Sequence, residues 1–234
     1  MPPDFIEQTW PPPPPSWQLD DDVHVWSASL DQPADVAHQL TATLSQAELL
    51  KVSGTPFAQE QLRYSVGRGL LRQILAAYLK LEPAELAFRY GPHGKPALAN
   101  GRASEFLQFN LSHSGSLAIY AVAWRRNLGV DVEEMARLPE ADEIANTFFT
   151  EADKLSFHQA SAQEKHAIFF DIWTRKEAIS KCSGLGIADE ESSQERSKQF
   201  DGKLARLTPA SGYTGTLAVE GPPAGQIRTW RWVL

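Results

Sequence analysis

The chain has 234 residues, a length that suits one large domain or two small ones sharing an interface. With 42% hydrophobic and 22% charged residues, its composition is that of an ordinary globular protein. The formal net charge of −7 argues against nucleic-acid binding by bulk electrostatics, because a phosphate backbone requires a basic surface. A local basic pocket for a small phosphorylated ligand is still compatible with that charge.

The sequence lacks the usual signs of export or membrane insertion. Cys182 is the single cysteine, so no internal disulfide can form, which fits a reducing compartment. The stretch MPPDFIEQTW has no basic segment followed by an apolar run. No stretch approaches the roughly 18 apolar residues that span a bilayer. We therefore expect a cytoplasmic protein.

Residues 1–18 form a proline-rich leader that contains PPPPP at 11–15, flanked by Trp10 and Trp17. Proline fixes φ and removes the backbone donor, so this stretch favours polyproline II. A stiff strap against the domain explains it most simply. The alternative is a docking motif for a proline-binding partner, which no other part of the chain supports.

The N-terminal half alternates strands with helices. VHVWSASL (23–30) reads as a strand, residues 33–51 as two short helices and residues 57–80 as a long helix. A short strand at 86–90 precedes the turn-rich GPHGKPAL (91–98), and two strands follow at 106–115 and 116–124. The long helix has an apolar stripe at helical spacing, with Arg63, Arg68 and Arg72 off it. The stripe comprises Leu62, Val66, Leu70, Leu71, Ile74, Leu75 and Tyr78.

Beyond Pro139 the pattern becomes mainly helical. FFTEADKL (148–155) has Thr150 as N-cap, and residues 162–182 form a second long helix. A polar loop is expected at 187–201, followed by short strands near 203–207, 213–219 and 227–233. Long helices, each followed by short strands, indicate an α+β architecture.

The stretch LGVDVEEM (128–135) alternates valine with carboxylate. Side chains at i and i+2 share one face of a strand, so Asp131 and Glu133 point the same way, roughly 6–7 Å apart. Glu134 belongs by parity to the opposite face. Two such carboxylates can share a Mg²⁺ ion, but for the strand taken alone a solvated face is the simpler explanation.

Two further groups of polar residues are weak signals when taken alone. In WTRKEAISK (173–181), Glu177 and Lys181 lie one helical turn apart, which also fits a routine surface pair. In NLSHSG (110–115), one asparagine, two serines and one histidine offer several hydrogen-bond donors at a strand end. They are Asn110, Ser112, Ser114 and His113. A structural histidine is the commoner explanation, and a phosphate or ribose contact is the alternative.

Four sequence blocks nevertheless occur together in a characteristic order. They are FNLSHSG at 109–115, GVDVE at 129–133, FFTEAD at 148–153 and WTRKEAISK at 173–181. RYSVGRGLLR at 63–72 and the GKP loop at 94–96 precede them. From about residue 45 to 187 the chain resembles the 4′-phosphopantetheinyl transferases of the surfactin-synthetase-activating type. Enzymes of this family move phosphopantetheine from coenzyme A to a serine of an apo carrier protein, releasing adenosine 3′,5′-bisphosphate.

The resemblance implies a catalytic group in the second half of the chain. Asp131, Glu133 and Glu177 would bind Mg²⁺ around the pyrophosphate, and Lys181 would contact a pyrophosphate oxygen or the leaving group. Glu177 is the expected base for the incoming serine, acting directly or through a water, with Glu133 as the second choice.

The resemblance also implies contacts to coenzyme A. Ser112, His113 and Lys95 would approach its 3′-phosphate end, and Arg63 falls where the family has a residue at the nucleotide. Tyr64 stands where relatives often have threonine, which bears on the 3′-phosphate contacts but not on the reaction.

The family fold is a monomer of two similar α+β halves related by a pseudo-twofold axis, each a long helix on a small, mostly antiparallel sheet. The implied division is a leader at 1–18, a coenzyme-A-binding subdomain at 19–127 and a Mg²⁺-binding, catalytic subdomain at 128–234, with the site at their interface. An acidic acyl or peptidyl carrier protein would have to be recognised by a local patch. The candidates for that patch are Arg125, Arg126, Arg175 and Lys176.

Two other functions are compatible with the residues. A non-catalytic module would hold coenzyme A or a carrier protein and dock through PPPPP, although such a binder has no need of three carboxylates. A different Mg²⁺-dependent phosphoryl enzyme would use the same acids but would release another product.

Overall fold

The computed structural model describes residues 9–99, 101, 106–184, 199–221 and 225–233. The N-terminal half contains β1 (Val23–Ser29), α1 (Ala34–Thr41), α2 (Gln46–Ser53), α3 (Ala58–Leu79), a 3₁₀ turn (Pro83–Glu85), β2 (Phe88–Tyr90), β3 (Pro96–Leu98), β4 (Leu107–Ser114) and β5 (Leu117–Trp124). The C-terminal half contains β6 (Leu128–Glu134), α4 (Ala141–Phe148), α5 (Glu151–Gln159), α6 (Lys165–Ser183), β7 (Gly202–Leu207), β8 (Tyr213–Glu220) and β9 (Ile227–Arg231). The strands and long helices predicted from the sequence are present, and β3 and α4 are additional. The predicted polar loop at 187–201 lies mostly outside the described residues.

Two main sheets organise these elements. The first has the strand order β4-β5-β1-β9, in which β1 is antiparallel to β5 and parallel to β9. The second has the order β6-β8-β7 and is antiparallel. A β2-β3 hairpin completes the strand pairing of the described residues.

The two sheets face each other, and each carries a long helix on its outer face. Strand β5 explains this arrangement, because its alternate residues enter two different cores. Tyr120 and Val122 pack with α3, whereas Ile119 and Ala121 pack against the second sheet. Helix α6 packs on the far side of the second sheet. The layers are therefore helix, sheet, sheet, helix, which confirms the α+β prediction of two helix-on-sheet halves.

Strand β9 does not stay with the C-terminal half. Its residues 227–231 pair with 23–27 of β1, so the last strand of the expected 128–234 subdomain completes the sheet of the first half. The sequence shows a strand there but not its partner, because parallel pairing between distant segments has no local signature.

The described part of the leader, residues 9–18, is attached to the domain at both ends. Trp10 Nε1 donates to the Thr208 carbonyl at 3.0 Å, and Arg231 N–H donates to the Pro11 carbonyl at 2.8 Å. The Trp17 ring contacts Trp26 with 5.0 Å between ring centroids. These contacts favour the strap over the docking motif.

The prediction that Leu62 belongs to the buried stripe of α3 is wrong, and two arginines off that stripe are also buried. Leu62 is 44% exposed, whereas Arg68 and Arg72 are only 6% and 1% exposed. Both arginines bind the buried Glu48 of α2, each with an N–O distance of 2.6 Å. The helix periodicity could not reveal this, because the carboxylate that allows two guanidiniums to be buried lies on another helix. No helix among the described residues is long and apolar enough to cross a bilayer.

Candidate active site at the seam between the sheets

A glycine brings α6 unusually close to β6. A Cβ atom added at Gly129 would lie 2.1 Å from the Ala178 carbonyl oxygen and 2.3 Å from the Cys182 nitrogen, both in the α6 backbone. Only glycine allows backbones to approach to this degree. The helix therefore lies directly over the strand, and the side chains that follow Gly129 on the same face meet those of α6.

Asp131, two residues beyond Gly129, meets the end of α6. Its Oδ1 accepts a hydrogen bond from Lys181 Nζ at 2.6 Å and another from Ser112 Oγ at 2.8 Å. Lys181 Nζ also donates to Ser112 Oγ at 2.9 Å. Asp131 is 2% exposed, whereas Val130 and Val132 are buried in the core between the sheets, as the parity of the strand predicted.

Glu133 and Glu177 add two more acids to the same region. Burial raises the pKa of Glu133, an effect that the hydrogen bond from Ser114 opposes and the nearby Asp131 reinforces. Burial likewise raises the pKa of Glu177; Lys181 opposes this, and Asp131 and Glu133 reinforce it. Strand β6 and helix α6 thus set three carboxylates against one ammonium group.

Glu134 points elsewhere, again as parity predicted. The Glu134 side chain lies against Gly115: a Cβ atom added at Gly115 would be 2.1 Å from Glu134 Oε2 and 2.8 Å from the Tyr213 hydroxyl. Its backbone N–H donates to Ser114 Oγ at 3.1 Å.

The site has one feature that fits a cation. Asp131 Oδ2 is buried and has no hydrogen-bond partner among the described residues, although a buried carboxylate oxygen normally has one. Hard carboxylate oxygens are what Mg²⁺ takes. The described residues contain no group of three or more His, Cys, Asp and Glu side chains already arranged to hold a metal ion.

Lys95 borders a cleft beside this group. A cavity of about 190 Å³ is lined by Lys95 from the GKP loop, by Asn110 of β4 and by Lys181 of α6. Lys95 Nζ donates to the carbonyls of Leu128 and Cys182 at 3.2 and 3.0 Å, and burial lowers its pKa. The pKa of His113, which does not line this cavity, is also lowered, by desolvation and by the charge of Lys181.

Arg63 lies at the opposite end of β6 from Lys95. Its guanidinium binds both oxygens of Asp31, at 2.8 and 2.9 Å, and it is within electrostatic range of Glu134 and Tyr213. Lys95 contacts residue 128, whereas the charge of Glu134 acts on Arg63, and residues 128 and 134 are about 20 Å apart along the strand. Lys95 and Arg63 are therefore nearest to opposite ends of β6.

Ser112 lies between Asp131 and Lys181, and its expected contact with coenzyme A stays a prediction. The expected carrier patch is wrong at Lys176, which is 1% exposed, and Arg175 is bound to Asp153 at 2.5 Å. Helical spacing alone does not reveal which charged residue faces the core.

Sequence reasoning grouped Asn110 and Ser114 with Ser112 and His113 as polar residues in a small space, but it gave these two no role at the site. Asn110 Oδ1 accepts from the Val130 N–H at 2.9 Å, and Ser114 Oγ donates to Glu133 Oε2 at 2.7 Å. The sequence does place residues 110, 112 and 114 on the same face of a strand, because side chains at alternate positions point the same way.

Comparison with known proteins gives the family. A model described as "4′-phosphopantetheinyl transferase, N-terminal" matches residues 26–125, and the 4′-phosphopantetheinyl transferase superfamily model matches residues 127–223. The 4′-phosphopantetheinyl transferase HetI of Nostoc sp. is 40% identical over 185 residues, which cover 79% of this chain and 78% of that protein.

Two other similar proteins carry the same family name. A putative 4′-phosphopantetheinyl transferase of Synechocystis sp. is 30% identical, over 70% of this chain and 65% of that protein. The 4′-phosphopantetheinyl transferase psf-1 of Bacillus pumilus is 31% identical, over 65% of this chain and 63% of that protein. The chain belongs to the 4′-phosphopantetheinyl transferase superfamily. The predicted family and enzyme class are confirmed, and the alternative of a non-catalytic binder is not retained.

Proposed function

We propose that the enzyme transfers 4′-phosphopantetheine from coenzyme A to a serine hydroxyl of an apo acyl or peptidyl carrier protein. Adenosine 3′,5′-bisphosphate is the second product, Mg²⁺ is the cofactor, and the enzyme is of the surfactin-synthetase-activating type. The observation that carries the proposal is the meeting of Asp131 and Glu133 with Glu177 and Lys181 at one seam.

Asp131, Glu133 and Glu177 would hold the Mg²⁺ ion. The unpartnered Asp131 Oδ2 and the raised pKa values of the two glutamates support this, because a cation relieves both the desolvation and the mutual repulsion. When bound, Mg²⁺ would neutralise pyrophosphate charge as the phosphoryl group leaves coenzyme A.

Lys181 would stabilise the same charge from the protein side. Its ammonium group is held by Asp131 and Ser112, and its side chain remains 29% exposed toward the cleft. A positive group fixed in advance beside a developing negative charge lowers the barrier without having to reorganise.

Glu177 is the proposed base for the serine. The serine hydroxyl is a weak nucleophile until its proton is removed, and a carboxylate with a raised pKa accepts a proton more readily near neutral pH. Ser114 donates to Glu133 Oε2, so one oxygen of the second candidate is already engaged.

Lys95, His113 and Arg63 are the proposed contacts for coenzyme A, with Ser112 nearer the reacting end. Lys95 and Arg63 lie nearest to opposite ends of β6, which fits an extended ligand. We also propose that the enzyme acts as a monomer in the cytoplasm, for which light scattering and cell fractionation are the tests.

The direct test is incubation with coenzyme A, Mg²⁺ and each of several apo carrier proteins, followed by intact-mass measurement. The expected result is one phosphopantetheine mass added per carrier and an equal amount of adenosine 3′,5′-bisphosphate, both prevented by a chelator. Carriers without that mass across the panel would contradict the proposal, and a different nucleotide product would favour another phosphoryl enzyme.

A further inference from the structure

Strands β4 and β6 belong to different sheets, yet side chains connect them along the seam. The residues on one face of β4 supply these links. Asn110 Oδ1 receives the Val130 N–H, Ser112 Oγ donates to Asp131 Oδ1, and Ser114 Oγ donates to Glu133 Oε2. The first half of the chain therefore holds the carboxylates of the second half by hydrogen bonds at alternate residues.

Ser114 differs from its two neighbours in what it holds. Asn110 binds backbone, and Ser112 is shared between Asp131 and Lys181. Ser114 binds Glu133 at 2.7 Å while its oxygen receives the Glu134 N–H at 3.1 Å. A hydroxyl has one proton to donate. Because Ser114 Oγ accepts the Glu134 N–H, its own proton points toward Glu133, and the orientation of the hydroxyl is fixed.

That fixed hydroxyl restrains a flexible side chain. Glu133 is half-buried, and a hydrogen bond from a neutral donor to a carboxylate is stronger than a neutral pair. With Oε2 held by Ser114, and with a weaker hydrogen bond from the Trp173 side chain, the orientation of the Glu133 carboxylate within the seam is limited. Groups that orient a metal ligand in this way typically change metal affinity by about 10- to 100-fold when removed.

We propose that Ser114 is a positioning residue that orients Glu133 for the divalent cation, so that the first half of the chain sets the geometry of a ligand carried by the second. This inference rests on the proposed function, because it requires Glu133 to be a cation ligand. The hydroxyl acts through Glu133 and does not itself touch the reacting atoms.

The experiment measures cation binding directly, without turnover. Mn²⁺ binding is followed by electron paramagnetic resonance, and Mg²⁺ is measured by competition, with and without coenzyme A. The variants Ser114→Thr and Ser114→Val form a matched pair of nearly equal shape that differ in the hydroxyl. Ser114→Ala tests simple removal, and Ser116→Ala removes a nearby hydroxyl that lies against Tyr213 and not against a carboxylate. Circular dichroism checks that each variant is folded.

We expect Ser114→Val and Ser114→Ala to bind Mn²⁺ about 10- to 100-fold more weakly, and Ser114→Thr and Ser116→Ala to stay within about threefold of the unaltered chain. Equal binding by Ser114→Val and Ser114→Thr would overturn the inference while leaving the proposed function intact. So would an equal loss in Ser116→Ala. An unaltered chain that binds neither cation, with or without coenzyme A, would overturn both the Mg²⁺ proposal and this inference.

Discussion

The two long helices each meet buried charges, but every carboxylate oxygen has a cationic partner at only one of them. Beside α3, one carboxylate, Glu48, is held by Arg68 and Arg72, with both of its oxygens hydrogen-bonded. Beside α6, three carboxylates face the single ammonium group of Lys181, and Asp131 Oδ2 has no partner among the described residues.

The pKa shifts follow the two arrangements. Burial alone would raise the pKa of Glu48, but hydrogen bonds from Arg72, the Ser45 N–H and Arg68 outweigh it and lower the pKa to about 2. At Glu133 and Glu177 burial prevails, and neighbouring acids add to it. Buried charges that are all hydrogen-bonded to partners of opposite sign are typical of a structural cluster. An excess of buried charges of one sign is typical of a site that binds a ligand of the opposite charge. We expect this difference to distinguish a structural cluster, at Glu48, from the proposed functional one at the seam.

The largest expected effect is at Glu133. Glu133→Gln removes a charge from the unbalanced cluster and should abolish Mg²⁺-dependent transfer, measured as phosphopantetheine added to an apo carrier. Glu134→Gln is the matched control, because this neighbouring glutamate faces Gly115 and Tyr213 instead. Its rate should stay close to that of the unaltered enzyme. If the two variants behave alike, the division of the acids by strand parity fails.

Glu177→Ala comes next. Loss of the proposed base should lower kcat by about 10²- to 10⁴-fold, the usual contribution of general acid–base catalysis. The isosteric Glu177→Gln should be at least as stable as the unaltered chain in urea unfolding, because burial and two neighbouring acids penalise the ionised side chain. Marked destabilisation by Glu177→Gln would show that this cluster is structural after all.

Glu48→Gln should have the opposite pair of effects. Two guanidiniums would lose their counter-charge, which typically costs about 3–5 kcal/mol of unfolding free energy in a buried pair. Transfer per folded molecule should not change, because Glu48 does not contact the acids at the seam. Urea unfolding monitored by tryptophan fluorescence measures the first quantity, and activity normalised to folded protein measures the second.

The same variant makes a pH prediction. The pKa of Glu48 is depressed in the folded state, so its ionised form contributes stability that is fully present above its unfolded pKa of about 4.5. That contribution is lost as the pH falls from there toward 2. Stability of the unaltered chain should therefore decline more steeply over this interval than stability of Glu48→Gln. Parallel acid titrations would contradict the assignment.

The sequence predicted the elements better than it predicted their partners. Strands β5 and β6 and helix α6 follow from local patterns, because alternation and helical spacing reflect burial of one face. The burial of Arg68 and Arg72 and the pairing of β9 with β1 depend on residues far away in the chain. Local periodicity carries no information about such contacts.

The candidate site shows the same limit. Parity separated Asp131 and Glu133 from Glu134, and the ordered motifs connected them with Glu177 and Lys181. What the sequence could not show was that Gly129 brings α6 onto β6. The sequence also could not show that Ser112 would donate to Asp131 and accept from Lys181, because both partners lie in the other half of the chain.

The smallest expected effect tests an exposed and balanced pair. Arg63 and Asp31 form a two-bond ion pair in which Asp31 is 52% exposed, so Asp31→Asn should change the unfolding free energy by less than about 1 kcal/mol. If Arg63 contacts the nucleotide, Asp31 competes with coenzyme A for the same guanidinium. Asp31→Asn should then lower the KM for coenzyme A a few-fold with kcat unchanged, and Arg63→Ala should raise it. If both variants keep the KM for coenzyme A of the unaltered enzyme, Arg63 is not part of the proposed coenzyme A site. The proposed contacts to coenzyme A would then lie at the other end of the seam, at Lys95 and Lys181.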